Sequence, residues 1–541
     1  MRNTFIPACA TIIFCLQLLT PNIAFAQRPY IPDTITEGQA RVEEVMRLID
    51  GNYTETPDMV SLGEAAINAM LRELDPHSVY IPARNVERAN EGLQGNFEGV
   101  GISFQIISDT IVVQSVIAGG PSEKVGIEIG DKLLRVDGQP ITGDSIDNNF
   151  VFKRLRGKKG TTVIIDILRQ GAVYNFHIVR DKVPIYSIDT YFMADDSIGY
   201  IRLIRFARTS GDEFRKALKE LKKQGMKSLI LDLRGNTGGY LDIACQLGNE
   251  FLDRGQLIVY QQGRKTPRQN FNANGHGNFR AQRDAKGRIV SGKLVVLIDE
   301  GSASASEIVS GAVQDWDRAT LIGRRSFGKG LVQRMFQLKD GSQMRLTTAR
   351  YYTPVGRCIQ RPYDEGDDAY RQDVNNRYKH GEMVNADSIH FPDSLRYRTA
   401  GGRTVYGGGG IMPDIFVPMD TMRLSDYYIS LRGKGLLNSL PMQWADSHRK
   451  DKSIKTFDLF LENYESFNLD SLLAAAALEK GVVRDTEKEA SEPERTAHSD
   501  RYLALMLKAQ VAKNLFGTEY YYKVMKEFDD AYLRAVEELR Q

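Results

Sequence analysis

Cysteine is scarce in this chain: four among 541 residues, two of them (Cys9 and Cys15) in an apolar leader, leaving Cys245 and Cys358. Two distant cysteines make no disulfide scaffold, and their spacing does not say whether they meet. No C-x-x-C pair and no H-E-x-x-H occurs, so a zinc site has no sequence support. Excess charge is missing too, since 71 Lys+Arg against 69 Asp+Glu leaves +2. That excludes the basic footprint of a nucleic-acid binder and an acidic disordered tail. Past residue 26 no run approaches the roughly 18–20 apolar residues needed to cross a bilayer. What is there, 42% hydrophobic and 26% charged residues, is ordinary globular composition with length for about three to four domains.

Residues 1–26 read as a signal peptide. Arg2 supplies the positive start, Ala8–Leu19 the apolar stretch, Pro21 a break, and Ala24-Phe-Ala26 the small-x-small pattern before cleavage. An uncleaved anchor is disfavoured by the short apolar core, and a lipid-modified Cys9 or Cys15 by its position within it. The expected location is therefore exported and periplasmic, with membrane association left open.

The remaining chain divides by pattern. Region 27–92 is expected to be helical, because Val42, Val45, Met46 and Ile49, then Ile67, Met70, Leu71 and Leu74, recur at helical spacing. Two such short helices need a neighbour or a second copy to bury their faces. Asp75-Pro-His-Ser78 ends the second, and His77 reads as structural. From 93 to 182, short β-branched runs alternate with Gly/Pro/Asp turns, including the hairpin signal Asp137-Gly138, which predicts a small, partly open β domain. From 183 to 440 strands and helices alternate as in an α/β sheet, with strands at 199–204, 228–233 and 294–298 and helices at 212–224, 240–251 and 305–316. Residues 262–292 lack periodicity and predict a loop or cap excursion. Region 441–541 returns to helix, with 484–500 read as a polar linker.

Three stretches of the α/β region carry chemistry. Asp232-Leu-Arg-Gly-Asn-Thr-Gly-Gly239 follows a buried strand, and its glycines allow a sharp turn that presents N–H groups to an oxyanion. Gly301-Ser-Ala-Ser-Ala-Ser-Glu307 places serines at a helix start, where the dipole favours developing negative charge. Taken alone, it reads equally as capping. Gly323-Arg-Arg-Ser-Phe-Gly-Lys-Gly330 nearly matches a phosphate-binding loop. It lacks the magnesium-binding hydroxyl, and Leu331–Leu338 reads as a strand rather than the required helix. None of the seven histidines falls in these stretches. A desolvated lysine is the natural alternative base for a serine, and Lys329 between two glycines has that character.

Together the residues resemble the carboxyl-terminal processing (tail-specific) proteases of peptidase family S41, Ser–Lys enzymes with an embedded PDZ domain. The matches are Leu74–Ser78, Gly99–Ile102, Gly119–Ser122, Gly126–Asp131, Asp232–Gly239, Ser302–Ile308, Phe327–Gln333, Thr347–Tyr352 and Met412–Asp414. The resemblance implies a multidomain α+β chain: a small PDZ-like β domain before an α/β protease core, with helical N- and C-terminal segments. It implies Ser304 as nucleophile, Lys329 as general base and Gln333 as the amide orienting the lysine. The oxyanion hole would be the N–H groups of Gly238 and Ala305, with Gly239 an alternative to Gly238. Thr237 stands where many relatives have proline. Gly99, Val100, Gly101 and Ile102 would bind a substrate's terminal carboxylate while the peptide adds to the sheet edge. Cofactors and metals are expected to be none. The partners implied are polypeptide C-termini, with a lipoprotein adaptor and a homo-oligomer compatible and nucleic acid excluded. The competing reading, a non-catalytic PDZ scaffold, is opposed by the intact Ser304, Lys329 and Gln333.

Overall fold

A computed structural model describes residues 33–107, 109–143, 146–283 and 289–541. The leader expected at 1–26 lies outside them. The chain divides into two compact units, residues 1–67 and 68–541. The first holds helix Asp33–Asn52 and the start of Met59–Arg72. Among the described residues no helix is long and apolar enough to cross a membrane.

In the second unit, a six-stranded sheet runs in the order Ile188–Met193, Ile198–Leu203, Ser228–Asp232, Lys293–Ile298, Thr320–Gly323, Ile415–Phe416. The first pair is antiparallel and the rest parallel. Both faces are covered, so the central strands carry unbroken apolar runs, Leu229–Leu231 and Leu294–Ile298. Leu229 and Leu231 face a core built with Phe214, Leu247, Val309 and Val313. Ile230, Val295 and Leu297 face the other way, against Tyr532, Ala535 and Leu539 of the helix Asp530–Arg540. This last helix is tied down where Arg234 donates to both Asp232 and Asp529, at 2.7 and 2.6 Å.

A second sheet pairs Gln343–Tyr352 with Leu331–Gln337, Val79–Ile81 and Leu257–Gly263, and the last with Thr266–Asn272. Two expectations change here. Region 27–92 is not purely helical, because Val79–Ile81 joins this sheet. The 262–292 excursion begins as an ordered edge strand, whose polar residues carry no apolar alternation and are held by backbone pairing. Residues 284–288 lie outside the described ones. The predicted strand after Lys329 is present as Leu331–Gln337.

The small β domain has sheet order Ile102–Ile107, Thr110–Val116, Lys132–Val136, Thr162–Arg169, Ala172–Val179. Asp137 and Gly138 both have positive φ, as a two-residue hairpin turn requires. The domain enters and leaves through one antiparallel pair, Asn96–Gly99 with Asp181–Pro184.

The C-terminal region is helical throughout, including the expected linker at 484–500, which forms helices Thr486–Ser491 and most of the first turns of Pro493–Phe516. Several of its charges form surface ion pairs: Arg484 meets Asp500 at 2.6 Å and Glu489 at 3.2 Å, and Lys488 meets Asp426 at 2.6 Å. Cys245 and Cys358 are both free thiols.

Tyr532→Ala should empty the back face of the sheet. Removing a large buried aromatic costs about 3 kcal/mol, so thermal unfolding should begin several degrees lower, while the candidate site on the opposite face keeps its residues.

Candidate active site

The chemistry gathers at the carboxyl ends of the parallel strands Ser228–Asp232 and Lys293–Ile298, where open α/β sheets place their ligands. Asp232 is fully buried. Burial alone would raise its pKa, but the Arg234 and Arg202 guanidiniums hold the carboxyl far below the usual range. Beyond it the turn to Gly239 closes on the serine turn. Gly238 lies so near that a Cβ there would sit 2.7 Å from Ala303 O and 2.9 Å from Ser304 Cβ.

Ser304 stands at the cap of helix Ala305–Asp315 with φ 55° and ψ −111°. A non-glycine residue held there stores about 1–3 kcal/mol of backbone strain, a device met where a side chain must be projected from a turn. Ser302 and Ser306 are fully buried, with hydroxyls donated to Leu233 O and Asn236 O. Ser304 is partly open and lines a cavity of about 310 Å³ together with Gly238, Lys329, Gln333 and Tyr351.

Lys329 belongs to the turn before strand Leu331–Gln337. Burial lowers its pKa from the ordinary 10.5, although the Glu307 and Asp75 carboxylates act in the opposite direction. Gln333 donates its amide to Thr347 Oγ1 at 3.1 Å. The structure thus brings together in one cavity the three residues expected to carry the reaction.

The oxyanion donors are placed less simply. Gly238 borders Ser304, but its N–H is donated to Asn236 Oδ1 at 2.9 Å. Asn236, fully buried, also donates to Leu203 O. Ala305 occupies the first turn of the serine helix.

Residues that sequence reasoning missed hold the arrangement. Glu307, fully buried, accepts from Ser304 N (2.8 Å), Lys329 N (2.9 Å), Gly328 N (2.7 Å) and Ser326 Oγ (2.6 Å). Burial raises its pKa against these four donors. Tyr351 donates its hydroxyl to Lys329 O at 2.6 Å and lies 3.1 Å from Ser304 O. His77 comes close enough to Lys329 to feel its charge. Burial and that charge lower its pKa to about 4, and its Nε2 pairs with Tyr370 Oη at 2.8 Å rather than with Ser304. Glu307 was legible as a capping-box residue; the partners from 75–78 and 347 carried no signal beyond membership of matching motifs.

In the β domain, Gly101 has φ 84° and no room for a side chain beside Pro121 and Gly120. The carbonyls of Val100 and Gly101 accept from Ser122 N and Ile117 N. Ile102 begins the edge strand of the sheet, and two residues on Phe104 meets Phe152 of helix Asn148–Leu155 with ring centres 5.6 Å apart.

Family models match the same division of the chain. The peptidase family S41 model matches residues 197–366, the PDZ domain model residues 99–179, and a family of unknown function (DUF8443) residues 427–517. A carboxy-terminal-processing protease of Bartonella bacilliformis is 35% identical over 406 residues, covering 73% of this chain and 88% of that protein. A "Probable CtpA-like serine protease" of Staphylococcus aureus is 34% identical over 321 residues, 59% of this chain and 62% of that protein. Among solved structures, a photosystem II D1 C-terminal processing protease aligns at TM-score 0.35 and 25% identity, over 71% of this chain and 94% of the other. The chain belongs to peptidase family S41, with a PDZ domain ahead of its protease core.

Glu307→Gln sets an amide NH2 against two of the four donors that the carboxylate now accepts. Each buried donor left unpaired costs about 1–3 kcal/mol. The variant should melt at lower temperature and cleave peptides at least about tenfold more slowly, as measured by thermal unfolding and initial rates.

Proposed function

We propose that the protein is an exported serine endopeptidase that recognises polypeptides by their C-terminal tails and cuts them with a Ser304–Lys329 dyad. The observation that carries this reading is the shared cavity in which partly open Ser304 meets desolvated Lys329 and Gln333. Ser304 Oγ attacks the scissile carbonyl as the neutral Lys329 amine takes its proton. The resulting ammonium protonates the leaving amine, and water then releases the acyl-enzyme. The Ala305 N–H, with that of Gly238 or its neighbour Gly239, stabilises the oxyanion. For Gly238 to take part, its N–H must leave Asn236 on substrate binding, which makes Gly239 the stronger of the two. Export follows from the leader read at 1–26, and the periplasm is the compartment that reading favours.

Ser304→Ala should abolish cleavage with an unchanged melting transition, and Lys329→Arg should be nearly inactive because guanidinium keeps its proton. Because the base acts as the free amine, kcat/KM of the wild type should rise with pH through a lysine pKa below the ordinary 10.5. Full activity in either variant would exclude the dyad, whereas a wild type that cleaves no peptide would leave the non-catalytic PDZ scaffold as the alternative.

The PDZ loop generates a separate expectation. Val100, Gly101 and Ile102 would give their N–H groups to a free carboxylate, with the tail added alongside Ile102–Ile107. Amidating the C-terminus removes a charged acceptor worth about 1.5–3 kcal/mol, or roughly tenfold to a hundredfold in subsaturating cleavage. Cleavage of one peptide as acid and as amide, by the wild type and by Gly101→Pro, measures this. The acid's advantage should shrink in the variant, and equal cleavage by the wild type would exclude this role.

A further inference from the structure

We propose that Asp75 and Thr347 form a positioning relay that fixes which end of the Gln333 side-chain amide faces Lys329. It rests on the Ser304–Lys329 reading above and deepens it. Asp75, only 6% exposed, lies 272 residues from Thr347 in the chain and does not line the cavity. Its Oδ1 accepts from His77 N (2.8 Å), Ser78 N (2.9 Å) and Thr347 Oγ1 (3.0 Å). Its Oδ2 accepts from Ser78 Oγ (2.6 Å), and that hydroxyl in turn accepts from Thr347 N (3.1 Å). Thr347 is therefore held at two points by the 75–78 turn.

The direction of the chain follows from what each group can do. An ionised carboxylate only accepts, so the Thr347 hydroxyl must give its single hydrogen to Asp75. The same oxygen can then only accept from its remaining neighbour, Gln333, 3.1 Å away. That requires the amide nitrogen of Gln333 to point at Thr347 and leaves its carbonyl oxygen as the end free to accept from Lys329. Without the carboxylate or the hydroxyl, nothing distinguishes the two ends of the amide. In the flipped orientation an NH2 group faces the lysine, donor against donor, and the base loses its guide. Asp75 also acts on Lys329 through its charge, together with Glu307 and against Arg345, while His77 beside it is held neutral.

The test uses the full chain and one free-acid peptide substrate. Thr347→Val keeps the shape and the backbone N–H bond to Ser78 but removes the hydroxyl. It should lower kcat about tenfold, the worth of one hydrogen bond to an ionising group, with KM nearly unchanged. Thr347→Ser, which restores the hydroxyl, should recover most of that loss. In a Gln333→Ala background Thr347→Val should cost less than about twofold, because the amide it orients is gone. A full additional loss in that background, or no loss in the single variant, would overturn the relay. Asp75→Asn is a second readout that does not depend on the valine variant folding well. An amide oxygen can still accept from His77 and Ser78, but the negative charge is gone, so Lys329 should lose its proton more easily. The acidic limb of kcat/KM should move to lower pH, and an unmoved limb would overturn the action of Asp75 on Lys329 through its charge. Wild-type cleavage by Ser304→Ala or Lys329→Ala would overturn the dyad itself. Inactive dyad variants with an additive Thr347→Val would overturn the relay alone.

Discussion

A single buried carboxylate holds the candidate site in register. Glu307 takes the backbone N–H of Ser304 with one oxygen and shares itself between that turn and the backbone of Gly328 and Lys329. The serine and the lysine come from different strand–turn units, so nothing local in either turn sets their separation. Placing one fully desolvated acceptor between them does so, and Tyr351 repeats the link from the carbonyl side. Burying a carboxylate is costly unless its lone pairs are filled, and here four donors fill them. The same desolvation lowers the lysine pKa. Rigidity and a larger share of neutral amine thus come from the same exclusion of water.

The sheet beneath supplies the platform. Because its central strands are covered on both faces, their carboxyl ends cannot tilt without disturbing two cores at once. The strained φ of Ser304 is sustained by that stiffness. Arg234 connects the platform to the far side: one guanidinium binds Asp232 at the strand end and Asp529 before the last helix. The cover of the back face and the turn at the front are therefore parts of one charged network.

The strands at 228–232 and 293–298 were legible because burial on both faces writes an uninterrupted apolar run into the chain. The serine and lysine turns were legible because glycines and small residues cluster where backbone must approach backbone. Other features left no local trace. The strand Thr266–Asn272 is an edge, so its side chains need not alternate, and its backbone pairing is invisible in composition. The helices between 486 and 500 make contacts remote in sequence, such as Lys488 with Asp426, that composition does not reveal. Asp75 was legible only as a helix end and a motif member, and Thr347 only as a motif member. Their bond joins residues 272 apart in sequence, and the logic of donors and acceptors along it exists only in three dimensions.

The way the β domain is inserted has a consequence for how such chains can be rebuilt. Its two connections leave the core side by side, Gly99 opposite Asp181, so its ends are only about 5 Å apart, the spacing of paired strands. Closing that gap with a short turn costs little chain entropy. Neither sheet of the core borrows a strand from the inserted domain, and the bridge most directly lost would be Arg156 with Glu91. The domain is a module on a two-strand stalk, replaceable by grafting at residues 99 and 181 without re-threading the core.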